Sequence, residues 1–99
     1  MTVNAYDVGD AVRFSVTFQD LNGTNVDPDT VVFKTKNPAG TISTYTYGSD
    51  AEVVKDSTGK YHCDIVVGSE GFWFARWEGS GTVYAAGDTK IYVKQTEFV

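Results

Sequence analysis

Asp56-Ser57-Thr58-Gly59-Lys60-Tyr61-His62-Cys63-Asp64-Ile65-Val66 is the stretch on which the reading of the chain turns. Ser and Gly ahead of Lys60 have the composition of a tight turn. Beyond it the residues alternate. Tyr61, Cys63, Ile65 and Val67 fall on one side of an extended chain, His62 and Asp64 on the other. A corner leading into a half-buried strand is predicted, with Gly59, Tyr61 and Cys63 as its structural residues.

The same alternation extends outward in both directions. Val12, Phe14, Val16 and Phe18 alternate with Arg13, Ser15, Thr17 and Gln19, which predicts a strand with one face in a core and one face wet. Asn22-Gly23 and Asp27-Pro28-Asp29 are turn signals. Val31–Lys36 and Thr41–Tyr47 flank Asn37-Pro38-Ala39-Gly40 and are predicted to form a hairpin. In the first of these, Lys34 and Lys36 share the side opposite Val31 and Phe33. Ala51–Lys55 is expected to be a short edge strand. Phe72–Glu78 is the most apolar strand, expected to break at Gly79-Ser80-Gly81. Thr82–Ala86 is expected to continue, Gly87-Asp88 to turn, and Lys90–Lys94 to close the fold. About seven short antiparallel strands at roughly ten-residue spacing predict an all-β sandwich.

The bulk properties bound the function. The chain has 99 residues, enough for one domain, expected over residues 1–99 with its core at about 6–94. A net charge of −5, from 13 acids against 8 bases, argues against a nucleic-acid binder, which needs a basic stripe. No segment reaches the length of a membrane span, and the first residues lack a signal-peptide pattern, so no membrane partner is expected. The single cysteine, Cys63, excludes an intramolecular disulfide and reads as a small buried hydrophobe. His62 adjoins it, but strand neighbours face opposite ways, so a Cys-His catalytic pair is not expected.

No catalytic, cofactor-binding or metal-binding set is predicted. Asp27, Asp29, Asp50, Glu52 and Asp56 lack the spacing of a calcium loop and read as solvated turn acids. His62 and Asp64 share a strand face and read as a surface pair, because a metal site needs three or four ligands and there is no second histidine. Nothing resembles a nucleophile elbow, a phosphate loop or a dinucleotide fingerprint.

The aromatic residues carry the remaining signal. Trp73, Ala75 and Trp77 lie on one face of their strand, and Phe72, Phe74, Arg76 and Glu78 on the other. The tryptophans are assigned to the core because large rings fill the gap between two sheets. Phe72, Phe74 and Arg76 are then either covered by loops or exposed as a protein-binding patch. Phe98 and Val99, near the end of the chain, are candidates to lie on a neighbouring subunit as an added strand or anchor.

A family resemblance rests on the order of several short motifs. Tyr6-Asp7-Val8-Gly9-Asp10 leads into a strand, and Asp20-Leu21-Asn22-Gly23 precedes Asp27-Pro28-Asp29. Asn37-Pro38-Ala39-Gly40-Thr41, Tyr45-Thr46-Tyr47-Gly48, Gly59-Lys60-Tyr61 and Arg76-Trp77-Glu78-Gly79 follow. From about Tyr6 to Val93 the chain resembles small immunoglobulin-like domains encoded among the structural genes of tailed bacteriophages. Tyr61, two residues before Cys63, also resembles the tyrosine corner of such sandwiches, whose hydroxyl bonds backbone carbonyls at the corner. The resemblance implies an immunoglobulin-like β-sandwich without catalysis, made in a host cytoplasm and located in the virion. It would decorate or cement the head, or form a short head fibre. The implied partners are the major capsid protein or other virion proteins, with self-association as a further possibility. A head–tail adaptor or tail component is one alternative. A surface module that stacks Trp and Tyr rings on carbohydrate is another.

Overall fold

The structure, a computed structural model, describes residues 5–81 and 85–95. Eight strands run through them: β1 (Ala5–Asp7), β2 (Ala11–Thr17), β3 (Thr30–Lys36), β4 (Ile42–Thr46), β5 (Val53–Ser57), β6 (Lys60–Val66), β7 (Gly71–Ser80) and β8 (Ala85–Lys94). They form two sheets. One has the order β1-β8-β7-β3-β4 and the other the order β2-β6-β5. Neighbours are antiparallel except β1, which lies parallel to β8.

Alternation explains which face of each strand is buried. Val12 and Phe14 of β2, Val31 and Phe33 of β3, Tyr61, Cys63 and Ile65 of β6, and Trp77 of β7 are all in the core. Rings from both sheets meet there: Phe14 lies 5.3 Å from Phe33, which also packs on Trp77 at 4.5 Å and Tyr45 at 6.3 Å. Burial of each such ring contributes about 1.5–3 kcal/mol. Trp77 is 5% exposed, and Trp73 packs half-buried against the same cluster with its indole N–H donated to the Ser69 carbonyl at 2.9 Å.

The strand count differs from the expected seven, and the differences have local causes. Val8 N–H bonds the Lys94 carbonyl at 3.1 Å just past the parallel β1–β8 ladder, so the segment around Tyr6 is a strand in its own right. β7 ends at Ser80, within the expected Gly79-Ser80-Gly81 break, but Gly79 itself lies inside the strand. A Cβ there would lie 2.7 Å from the Phe18 ring and 2.9 Å from Pro28, so glycine is present for close packing inside the strand. Gly87 and Asp88 do not turn either; they stand opposite Trp77 and Arg76 within β8. The expected continuation at Thr82-Val83-Tyr84 lies outside the described residues.

The corner at Gly59 is a hairpin joining β5 to β6 within one sheet. Gly59 has φ 75°, and a Cβ there would come within 2.6 Å of the Phe18 carbonyl oxygen. Its N–H donates to Asp27 Oδ1 at 2.8 Å, and its carbonyl accepts the Phe18 N–H at 2.7 Å. The Tyr61 hydroxyl donates to Asp27 Oδ1 at 3.1 Å, and Lys55 Nζ reaches Asp27 Oδ2 at 2.7 Å. Two expectations are therefore corrected. Tyr61 bonds a carboxylate rather than backbone carbonyls, because the β2–β3 connection brings Asp27 beneath the hairpin. Asp27 itself is no free turn acid. The bond from Lys55, then the Gly59 N–H, holds its carboxyl below the usual range. Burial and the Asp27 carboxylate push the Tyr61 hydroxyl up to about 12.

Candidate functional site

Strand pairing assembles one distinctive surface, the outer face of the five-stranded sheet. Directly opposed residues on neighbouring strands share a face, so register reads out as rows across the sheet. One row is Ile42, Lys36, Phe74 and Lys90, on β4, β3, β7 and β8. The next is Lys34, Arg76 and Asp88, and on the other side Phe72 stands opposite Tyr92.

Phe72 is 50% exposed and Phe74 46%, so no loop among the described residues covers either ring. Phe72 and Tyr92 lie 5.2 Å apart, and Lys90 Nζ sits 4.8 Å from the Phe72 centroid in a cation–π contact. Ile42 is also exposed. Four large apolar side chains are thus grouped on one face, and such grouping is uncommon on monomers. A shallow groove of about 540 Å³ crosses this face, with Ile42, Lys36, Phe74 and Lys90 along one side and Lys34, Arg76 and Asp88 along the other.

The two sides of the groove differ in how their charges are used. Arg76 Nε bonds Glu78 at 2.8 Å and its Nη1 bonds Asp88 at 2.9 Å, while Lys34 reaches Glu78 at 3.1 Å. Arg76 then Lys34 hold the Glu78 carboxyl below its ordinary value. The guanidinium assigned to the binding patch is therefore already tied to its own strand and to β8. Among the described residues, no carboxylate lies within ion-pair distance of Lys36 or Lys90. The whole outer face holds five of the chain's eight bases (Lys34, Lys36, Arg76, Lys90, Lys94) with three acids (Asp7, Glu78, Asp88), in a chain of net charge −5.

The other singled-out residues lie elsewhere. Cys63 is fully buried, and burial pushes its thiol up to about 11, which disfavours the reactive thiolate. His62 and Asp64 do not pair with each other. His62 Nδ1 lies 2.8 Å from the Asp56 carboxylate, and Asp64 accepts both Arg13 Nε and Nη2 at 2.8 and 3.0 Å. A second cleft of about 200 Å³ beside β2 is lined by Tyr6, Arg13, Ser15 and Trp77, and neither cleft touches Cys63 or His62. Phe98 lies outside the described residues.

Sequence periodicity singled out Phe72, Phe74 and Arg76 but missed Lys36, Lys90, Ile42 and Tyr92. The position of Lys34 and Lys36 opposite Phe33 was a partial signal; their placement beside Phe74 and Arg76 depends on register. Compared with protein-family models, curated proteins and solved structures, the chain matches none. The site is therefore defined by its own geometry.

Proposed function

We infer that the chain is a non-enzymatic, protein-binding β-sandwich of immunoglobulin-like type that docks on a repeated protein lattice. The observation that carries this is the uncovered Phe72, Phe74 and Tyr92 cluster beside cationic side chains on one sheet face. Aromatic anchors within a polar rim are the composition of protein interfaces. The strand arrangement supports the immunoglobulin-like reading. β2, β6 and β5 correspond to strands B, E and D, and β8, β7, β3 and β4 to strands G, F, C and C′. β1 lies beside β8 as an added edge strand. The chain departs from antibody domains in having one cysteine, so aromatic packing replaces the inter-sheet bridge.

The lattice we propose is the capsid of a tailed bacteriophage, on the order of the motifs between Tyr6 and Val93. The protein would be a decoration, cement or short head-fibre component of the virion. Weak single contacts suffice there, because repeated copies supply avidity. Carbohydrate stacking by tryptophan is disfavoured by the burial of Trp77 and the packing of Trp73.

The test is co-sedimentation of the purified chain with assembled capsids of the phage whose genome encodes it, quantified against the major capsid protein. Binding in hundreds of copies, lost on Phe72→Asp with Phe74→Asp, is the expected result. A few copies per particle points to the adaptor or tail alternative, and no binding overturns the lattice reading.

A further inference from the structure

Lys36 and Lys90 flank Phe74 in a single row, and neither has a carboxylate partner among the described residues. We propose that the groove on this face takes an extended acidic segment of a partner protein, with one large apolar side chain seated on Phe74 between the two lysines and a carboxylate on either side bound to Lys36 and Lys90. The proposal deepens the docking reading above and rests on it.

Charge selects the occupant. The opposite side of the groove is a closed ladder, Lys34–Glu78–Arg76–Asp88, in which every charge already has a neighbour of opposite sign. It offers a fixed rail and no unpaired charge. Lys36 and Lys90 are the cations left over beside exposed apolar surface, where a carboxylate is partly shielded from water and attracted more strongly than in bulk solvent. Lys90 is held near Phe72 by its cation–π contact at 4.8 Å, which places its ammonium beside the aromatic cluster before any partner arrives. Attraction of this kind orients a partner and speeds encounter, while the apolar residue holds it.

Spacing selects the pattern. Lys36 on β3 and Lys90 on β8 are separated by β7 alone, two strand spacings or about 10 Å at the backbone. Alternate residues of an extended segment face the same way about 7 Å apart. An acid, an apolar residue and a second acid at every other position therefore match the row Lys36, Phe74, Lys90. The flexible lysine stems span the remaining few ångströms.

The probe is the blocked peptide Gly-Glu-Ser-Phe-Ser-Glu-Gly, with a twin carrying Gln for both Glu, titrated into the isotopically labelled full chain by NMR at millimolar concentration. The expected result is amide shifts confined to the neighbourhood of Ile42, Lys36, Phe74 and Lys90. Binding should weaken at least tenfold for the Gln twin and for the Lys36→Glu, Lys90→Glu double variant, and be unchanged by Lys60→Glu. Absence of shifts, equal binding of the twin, or shifts on the three-stranded sheet overturns the proposal. Sedimentation velocity on the protein alone supplies the rival. Self-association abolished by the double variant would make the occupant a second copy instead. The same variant in co-sedimentation separates docking by this face from recognition of acidic side chains. If Phe72→Asp with Phe74→Asp abolishes lattice binding and Lys36→Glu with Lys90→Glu leaves it intact, the face docks but the acidic chemistry is wrong. If neither pair changes it, the docking face itself is wrong.

Discussion

The Gly59 corner and the outer face of the five-stranded sheet use the same kinds of residue in opposite ways. At the corner, one carboxylate, Asp27, receives a backbone N–H, a phenol and an ammonium, and the Tyr61 ring is buried. On the outer face, Phe72, Phe74 and Tyr92 stay exposed and two lysines stay unmatched among the described residues. Polar groups satisfied inside the chain hold the fold together. Apolar rings and charges left unsatisfied are what a partner can use. The outer face of the three-stranded sheet strengthens the contrast. There Arg13 and Asp64 close on each other, and the exposed aliphatic residues are the isolated Val54 and Val66.

The comparison breaks most sharply at Gly59. Gly59→Ala forces a side chain into the left-handed region against the Phe18 carbonyl, and should destabilise the protein by about 3 kcal/mol in urea unfolding. Stability equal to the parent would show that the hairpin can shift and that the corner is not a fixed point. The next effect lies on the open face. Phe72→Asp with Phe74→Asp should weaken partner binding more than tenfold and lower the urea midpoint less than Gly59→Ala does, because both rings are half in water already. Val54→Asp with Val66→Asp on the opposite sheet should leave binding intact. A loss there would erase the distinction between the two faces.

Acid titration sharpens the corner further. The carboxyls of Asp27, Asp64 and Glu78 all lie below their ordinary values in the folded protein. Their contribution is thus fully present above the unfolded range near pH 4, and is lost as pH falls through the lower folded values. Asp27→Asn should flatten part of that acid limb and lower the thermal midpoint at pH 7, as followed by circular dichroism. An acid limb unchanged by Asp27→Asn would mean that the corner's carboxylate is not coupled to folding. The smallest effect is expected from Arg13→Ala, which removes an exposed ion pair and should leave the urea midpoint within error.

Strand periodicity was legible from single residues because burial on one face is a local rule. Val12, Phe14, Phe33, Tyr61, Cys63 and Trp77 are buried as their alternation predicts. The exposed positions of Phe72 and Phe74 follow from the same rule, once Trp77 is assigned to the core. Glycine misled at Gly87, and at Gly79 it marked the end of β7 slightly early. As a symbol in a sequence it marks a turn, whereas at Gly79 it makes room for Phe18 and Pro28, which reach it from distant parts of the chain. The role of Asp27 was hidden for the same reason, since its partners lie 28, 32 and 34 residues away.

By itself the sequence determined the all-β class, the positions of most strands and which side of each strand is apolar, because a period of two depends only on neighbours along the chain. The tertiary structure decided which strands lie side by side and in what register. Pairing between β3, β7 and β8 is non-local, and it alone sets Lys36, Phe74 and Lys90 in one row. A shift of one residue in either pairing would turn the opposing side chains to the other face and dissolve the groove.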